Sequence, residues 1–157
     1  SIEKLFANRD PADLKAAQDH IRGLMHEAGL AYGDRTMTYN SRLAQELGAW
    51  ADAETDHGDI LHNKLFEAYF VHNKNIGEVS VLLALVAELD LPLARATEVL
   101  THRSYSPEVN AQWQRSWDTG ITGVPTFVSH DLFVVGHQSS EVLARFVRHL
   151  QTLPLTS

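Results

Sequence analysis

The chain has no cysteine among its 157 residues. Thiol–disulfide exchange needs a thiolate as the attacking group, so this polypeptide by itself cannot exchange disulfides. The same absence removes any disulfide framework and any thiolate metal site. No apolar run nears the roughly 20 residues that span a bilayer, and no basic-then-apolar leader stands at the start. A cytoplasmic location is the default that this leaves. Basic residues are in the minority: 13 Lys and Arg against 20 Asp and Glu, a net charge of −7. Nucleic acid and anionic membrane both want a basic face, so neither is expected as a partner. An initiator Met is lacking too. The chain opens at Ser1-Ile2-Glu3-Lys4-Leu5-Phe6, and the expectation is a fragment, a processed form or an engineered piece.

What is present has the composition of a globular protein, 44% hydrophobic and 21% charged, in a length that makes one domain with a real core. The most informative stretch runs from Gly120 to Gly136. Thr126 to Val128 and Leu132 to Val135 are short β-branched and aromatic runs separated by the polar pair His130-Asp131, which predicts a tight β-hairpin. Pro125 stands at the head of the first strand, where a missing N–H is tolerated, and Val124 before it is pushed toward extended geometry. Gly120 and Gly123 let the chain leave a helix and turn into the strand. His is a poor choice where φ must be positive, so a longer or distorted turn is expected at His130-Asp131.

Before the hairpin the pattern is helical. Asp10-Pro11-Ala12-Asp13 is a helix start, followed by Leu14, Ala17, Ile21, Leu24, Met25 and Ala28 on one face and closed by Gly29. Residues 31–39 have no clean period and read as a loop with some extended character. Asn40-Ser41 caps a second helix with Leu43, Leu47 and Trp50 inward. A third carries the apolar stripe Leu61, Leu65, Phe66, Tyr69 and Phe70. A fourth runs from Val79 and must stop near Asp90, because Leu91-Pro92 cannot continue it. Pro92 opens a short fifth and Ser106-Pro107 a sixth with Val109, Trp113 and Trp117. After the hairpin, Ser139 or Ser140 caps a last helix with Val142, Leu143, Phe146, Val147 and Leu150 inward.

Catalytic and metal constellations are weak. Asp56, His57, Asp59 and His62 are the tightest titratable group, but a five-residue spacing does not put both histidines on one helix face. They read as a solvated acidic turn; no metal site and no cofactor are expected. The other histidines read as surface. Ser139-Ser140 near His137 is the one local serine–histidine cluster, and a helix cap explains it better than a nucleophile. The tryptophans and the Phe66, Tyr69, Phe70 set sit at helical spacing and read as core rather than as a cofactor box.

The run Gly-Ile-Thr-Gly-Val-Pro-Thr-Phe-Val at 120–128, the hairpin, a second glycine and an amphipathic helix resemble the C-terminal ββα unit of the thioredoxin fold. The similarity is to the DsbA-like family, in the branch that includes the FrnE-type oxidoreductases. Thr36 to Leu47, Leu65 to Phe70 and Asn75-Ile76-Gly77 resemble that branch's inserted helical domain, so the resemblance covers nearly the whole chain from Glu3 onward. It implies an α+β, mostly helical fold: a helical part over about 10–119 and a thioredoxin-like ββα part over about 120–151, a single partial domain with an incomplete sheet. The family's first strand, its Cys-x-x-Cys helix and the strand after it have no counterpart here, though Arg35 to Tyr39 could add a little to the sheet.

The resemblance further implies a cis bond at Val124-Pro125 and a parent activity of protein disulfide oxidoreductase. On this reading Thr122, Gly123, Val124, Pro125, Asn40, Phe66 and Phe70 bind a peptide or thiol substrate. No residue of the chain is catalytic, and the polypeptide is expected to be redox-inert. Apolar surface left uncovered by the missing strands implies a homodimer. Two alternatives stay open: a glutathione-dependent isomerase or transferase of the 2-hydroxychromene-2-carboxylate isomerase or kappa type, which shares the Gly-Val-Pro loop, and a non-catalytic thioredoxin-like module that holds a peptide or partner.

Overall fold

The computed structural model describes residues 10–154. Seven helices and one hairpin follow one another there: α1 (Pro11–Glu27), α2 (Arg42–Glu54), α3 (Gly58–Phe70), α4 (Val79–Glu88), α5 (Leu93–His102), α6 (Ser106–Asp118), β1 (Thr126–Ser129), β2 (Leu132–Val135) and α7 (Ser140–Leu150). Two compact units divide within α6, between Val109 and Asn110.

The first unit owes its order to α2, α3, α4 and α5. Leu47, Trp50 and Ala51 from α2, Leu61 from α3, Leu82, Leu85 and Val86 from α4, and Ala96 and Val99 from α5 are all withdrawn from solvent. Their spacing of three and four residues is what lines each helix with one apolar face. Asp10 begins α1 by accepting a hydrogen bond from the Ala12 amide at 2.8 Å, and Gly29 (φ +68°) leaves the helix in the left-handed region. Of the apolar face expected on α1, Ile21 stays 44% exposed while Leu24 and Met25 are half-buried; Leu14 lies outside the side chains described. Asp90 (φ +53°) and Pro92 end α4 as the sequence requires. Gly48 and Gly58 let α2 and α3 approach: a Cβ on Gly48 would strike the His62 ring, and one on Gly58 would strike Asp52.

Among the described residues of this unit one carboxylate is buried. Glu46 on α2 has no exposed surface, and it accepts from Arg42 Nε at 2.6 Å and from Arg103 Nε and Nη2 at 2.6 and 2.7 Å. Arg42 continues to the Ser106 carbonyl and hydroxyl, both at 2.9 Å, and so ties α2 to the start of α6. The Arg103 guanidinium first, then Arg42, hold the Glu46 carboxyl below its ordinary range against the opposing push of burial. Removing either arginine still leaves Glu46 the other, so the two share the compensation of one buried charge.

In the second unit β1 and β2 pair antiparallel, with Thr126 opposite Val135 and Ser129 opposite Leu132. The turn is therefore just His130-Asp131. The longer loop expected from the histidine does not form; His130 instead adopts φ +54°. Among the described residues the sheet has two strands, and Arg35 to Tyr39 adds nothing to it, because that segment has no strand geometry and lies against α3. Ser139 caps α7, its hydroxyl accepting from the Val142 amide at 3.3 Å. Among the described residues of this unit no side chain is buried, and Phe127, Val128, Phe133, Val135 and Val147 all remain exposed.

Candidate functional site

The loop from Thr122 to Pro125 is held from both ends. The Gly120 amide donates to the Trp117 carbonyl at 2.8 Å and the Ile121 amide to Ser116 at 3.0 Å, closing α6; Gly120 itself has φ +80°. The Thr126 hydroxyl donates to the Gly123 carbonyl at 2.6 Å, and the Gly136 amide donates to the Pro125 carbonyl at 2.8 Å. Val124 lies between these two anchors. Its peptide bond to Pro125 is cis, its side chain is 89% exposed, and neither its N–H nor its C=O has a partner among the described residues. A main-chain donor and acceptor are thus fixed in place and left open, the arrangement by which an extended peptide is received as an added strand.

The other residues expected to bind lie in the first unit. Phe66 and Phe70 stack at 6.1 Å on α3, with Phe66 60% exposed and Phe70 half-buried. Tyr69 meets Phe70 edge-on at 4.8 Å, Tyr32 stacks on Phe70 at 6.3 Å, and Tyr39 meets Tyr69 at 6.4 Å. Asn40 stands beside Tyr39 at the head of α2, where its side-chain oxygen accepts the Arg42 amide at 2.9 Å. Ser41 holds the N-cap position without a side-chain cap bond; its hydroxyl accepts from Gln45 instead.

Arg35 is the member of this neighbourhood that the sequence did not single out. Its guanidinium carbon sits 4.0 Å above the Tyr69 ring and 4.9 Å from Phe70, and its Nη2 donates to the Tyr69 hydroxyl. A basic residue between Tyr32 and Tyr39 in an acidic chain was the available signal, lost because 31–39 has no period to read.

The remaining candidates resolve locally. His62 Nε2 contacts both Asp52 carboxylate oxygens, at 3.1 and 3.0 Å, and the His57 amide donates to Thr55. Among the described residues no three His, Cys, Asp or Glu side chains converge on a point. Ser139 serves as the α7 cap.

A family model for the DSBA-like thioredoxin domain matches residues 3–148. The uncharacterized protein YwbO of Bacillus subtilis (strain 168) is 26% identical over 95 residues, 60% of this chain and 48% of that protein. The chain thus spans about half the length of the curated relative it matches. In fold it is similar to a crystal structure described as a putative protein disulfide isomerase from Nitrosomonas europaea, with a TM-score of 0.68, 17% identity, and 91% of this chain and 76% of that one covered. It is also similar to the cytosolic disulfide reductase DsbM of Pseudomonas aeruginosa with GSH, at a TM-score of 0.56, 23% identity, and 90% and 74% coverage.

Proposed function

The chain belongs to the DSBA-like thioredoxin domain family, and from that premise we propose that it takes part in thiol–disulfide exchange by holding the substrate rather than by attacking it. The 157 residues carry no thiol, so the nucleophile must come from outside them. The observation that carries the reading is the open main chain of Val124, unpartnered and 89% exposed between two hydrogen-bonded anchors. A substrate peptide laid beside Val124 would pair with both groups at once, and the fixed loop would lose little entropy in doing so. Thr122 and Gly123 belong to the same loop; Phe66, Phe70 and Asn40 are assigned to substrate contact on the first unit. The FrnE-type branch supplies the likeness for these roles, and the cytosolic designation of DsbM supports a cytosolic setting.

The test uses the 157-residue polypeptide itself. A cysteine-containing peptide blocked as its S-methyl ether is titrated into isotope-labelled chain. The expected result is amide shifts centred on Thr122, Gly123 and Val124, with insulin reduction no faster than the uncatalysed rate. Rate enhancement, or shifts that leave this loop untouched, would overturn the reading. Because DsbM was solved with GSH, glutathione favours a second reading, a glutathione-dependent enzyme. Saturable binding of glutathione with no response to the blocked peptide would select it. A peptide response without any redox partner for the chain would select the non-catalytic module.

A further inference from the structure

We propose that the Arg35 guanidinium receives a carboxylate, and that Phe66 and Phe70 beside it take the apolar side chain next to that carboxylate in a bound peptide. The proposal rests on the reading of the chain as a peptide-holding protein and adds the chemical class of peptide. Among the described arginines of the first unit, every other one faces an acid. Arg22 meets Asp34 at 2.7 Å, Arg42 and Arg103 meet Glu46 at 2.6 Å, and Arg95 meets Glu54 at 2.7 Å. Arg35 meets none of the described acidic residues. Asp34, its nearest acid in sequence, is already taken by Arg22.

The Arg35 head group is nonetheless fixed. The Tyr69 and Phe70 rings hold its plane, and the Tyr69 hydroxyl takes one N–H. Its Nε is shielded from solvent without a partner, while Nη1 makes no hydrogen bond and keeps access to water. A cation half-withdrawn from water with donors unspent lacks the compensation that its burial calls for. A planar guanidinium with free N–H groups matches a two-oxygen anion, and seating on a ring removes the rotamer cost of ordering it. With a single cation in a chain of net charge −7, a carboxylate fits better than a nucleic-acid backbone, which demands several. Phe66, 60% exposed and stacked on Phe70, supplies the apolar contact alongside.

The experiment compares three small ligands on the labelled wild-type chain: N-acetyl-Gly-Phe with a free carboxylate, N-acetyl-Gly-Phe amide, and N-acetyl-Glu-Phe amide. Arg35 Nε and the Phe66 and Phe70 ring resonances report the shelf, while Thr122 to Val124 amides report the loop. The expected result is at least fivefold tighter binding of a carboxylate ligand than of the neutral amide at low salt. That preference should be lost in Arg35→Met and partly kept in Arg35→Lys. The free acid and the Glu peptide separate a chain terminus from an acidic side chain as the source of the carboxylate. Equal affinity for acid and amide in the wild type overturns the proposal without recourse to any variant, as does an acid preference that survives Arg35→Met. Movement of the loop with a still shelf would sink this inference and leave the loop assignment standing. An acid-selective shelf with a still loop would do the reverse.

Discussion

Single residues carry the electrostatics of the first unit, and Glu54 is the one whose titration can be followed. Its carboxylate receives Arg95 Nη2 and Nε at 2.7 and 2.9 Å, the Tyr105 hydroxyl at 2.8 Å and the Trp50 indole at 3.1 Å. The Arg95 bonds first, then Tyr105, pull its pKa from 4.5 down to about 2. A depressed carboxylate stabilises the fold fully above the unfolded value and progressively less as pH falls toward the folded one, because the unfolded chain binds the proton first. Between about pH 4.5 and pH 2, urea midpoints of the wild type should therefore fall more steeply than those of Glu54→Gln, and equal slopes would show that Arg95 does not hold the charge. Neither this pair nor Arg35 was legible in the sequence, because their partners lie 41 and 34 residues away. The extended geometry before Pro125 was legible from the residues, whereas its cis bond came only from the resemblance of the 120–128 run to a known loop.

Elements were more legible than residues. Helices came out of capping signals and three-to-four spacing, which are local, and Asp10, Pro92 and Ser139 stand where those signals put them. Of the longer or distorted turn expected, the lengthening does not occur, because pairing of Ser129 with Leu132 leaves room for two residues only, and the strands' register overrides the dislike of histidine for positive φ. His130 at φ +54° carries the penalty of a Cβ in the left-handed region, about 1–2 kcal/mol. Glycine would remove it while making the unfolded chain more flexible, so His130→Gly should stabilise by about 0.5–1 kcal/mol net. The contact between His130 Nδ1 and the Ser129 hydroxyl at 3.2 Å is exposed and adds little against this. A thermal melt showing a lower Tm for His130→Gly would mean that another restraint holds the turn.

At the scale of the whole molecule, the two units differ in how far they satisfy themselves. The first encloses a core of leucine, valine, alanine and Trp50. In the second no described side chain is buried, although β1, β2 and α7 carry apolar residues at the right periods. The sequence could announce that face but not its cover, since what buries an apolar surface is not written in the periodicity of the surface itself. Among the described residues the sheet has two strands and no third, which is marginal in water; Phe133 and Val135, two apart on β2, are 44% and 51% exposed, and Val147 on α7 is 51% exposed. Apolar faces of this kind pair with a complementary copy when nothing else covers them. We therefore expect light scattering to give twice the 17.5 kDa chain mass, and Phe133→Ser with Val135→Ser to return the monomer. A monomeric wild type that also fails to bind a hydrophobic dye would show the face closed by some other means, and the dimer would then have no physical cause.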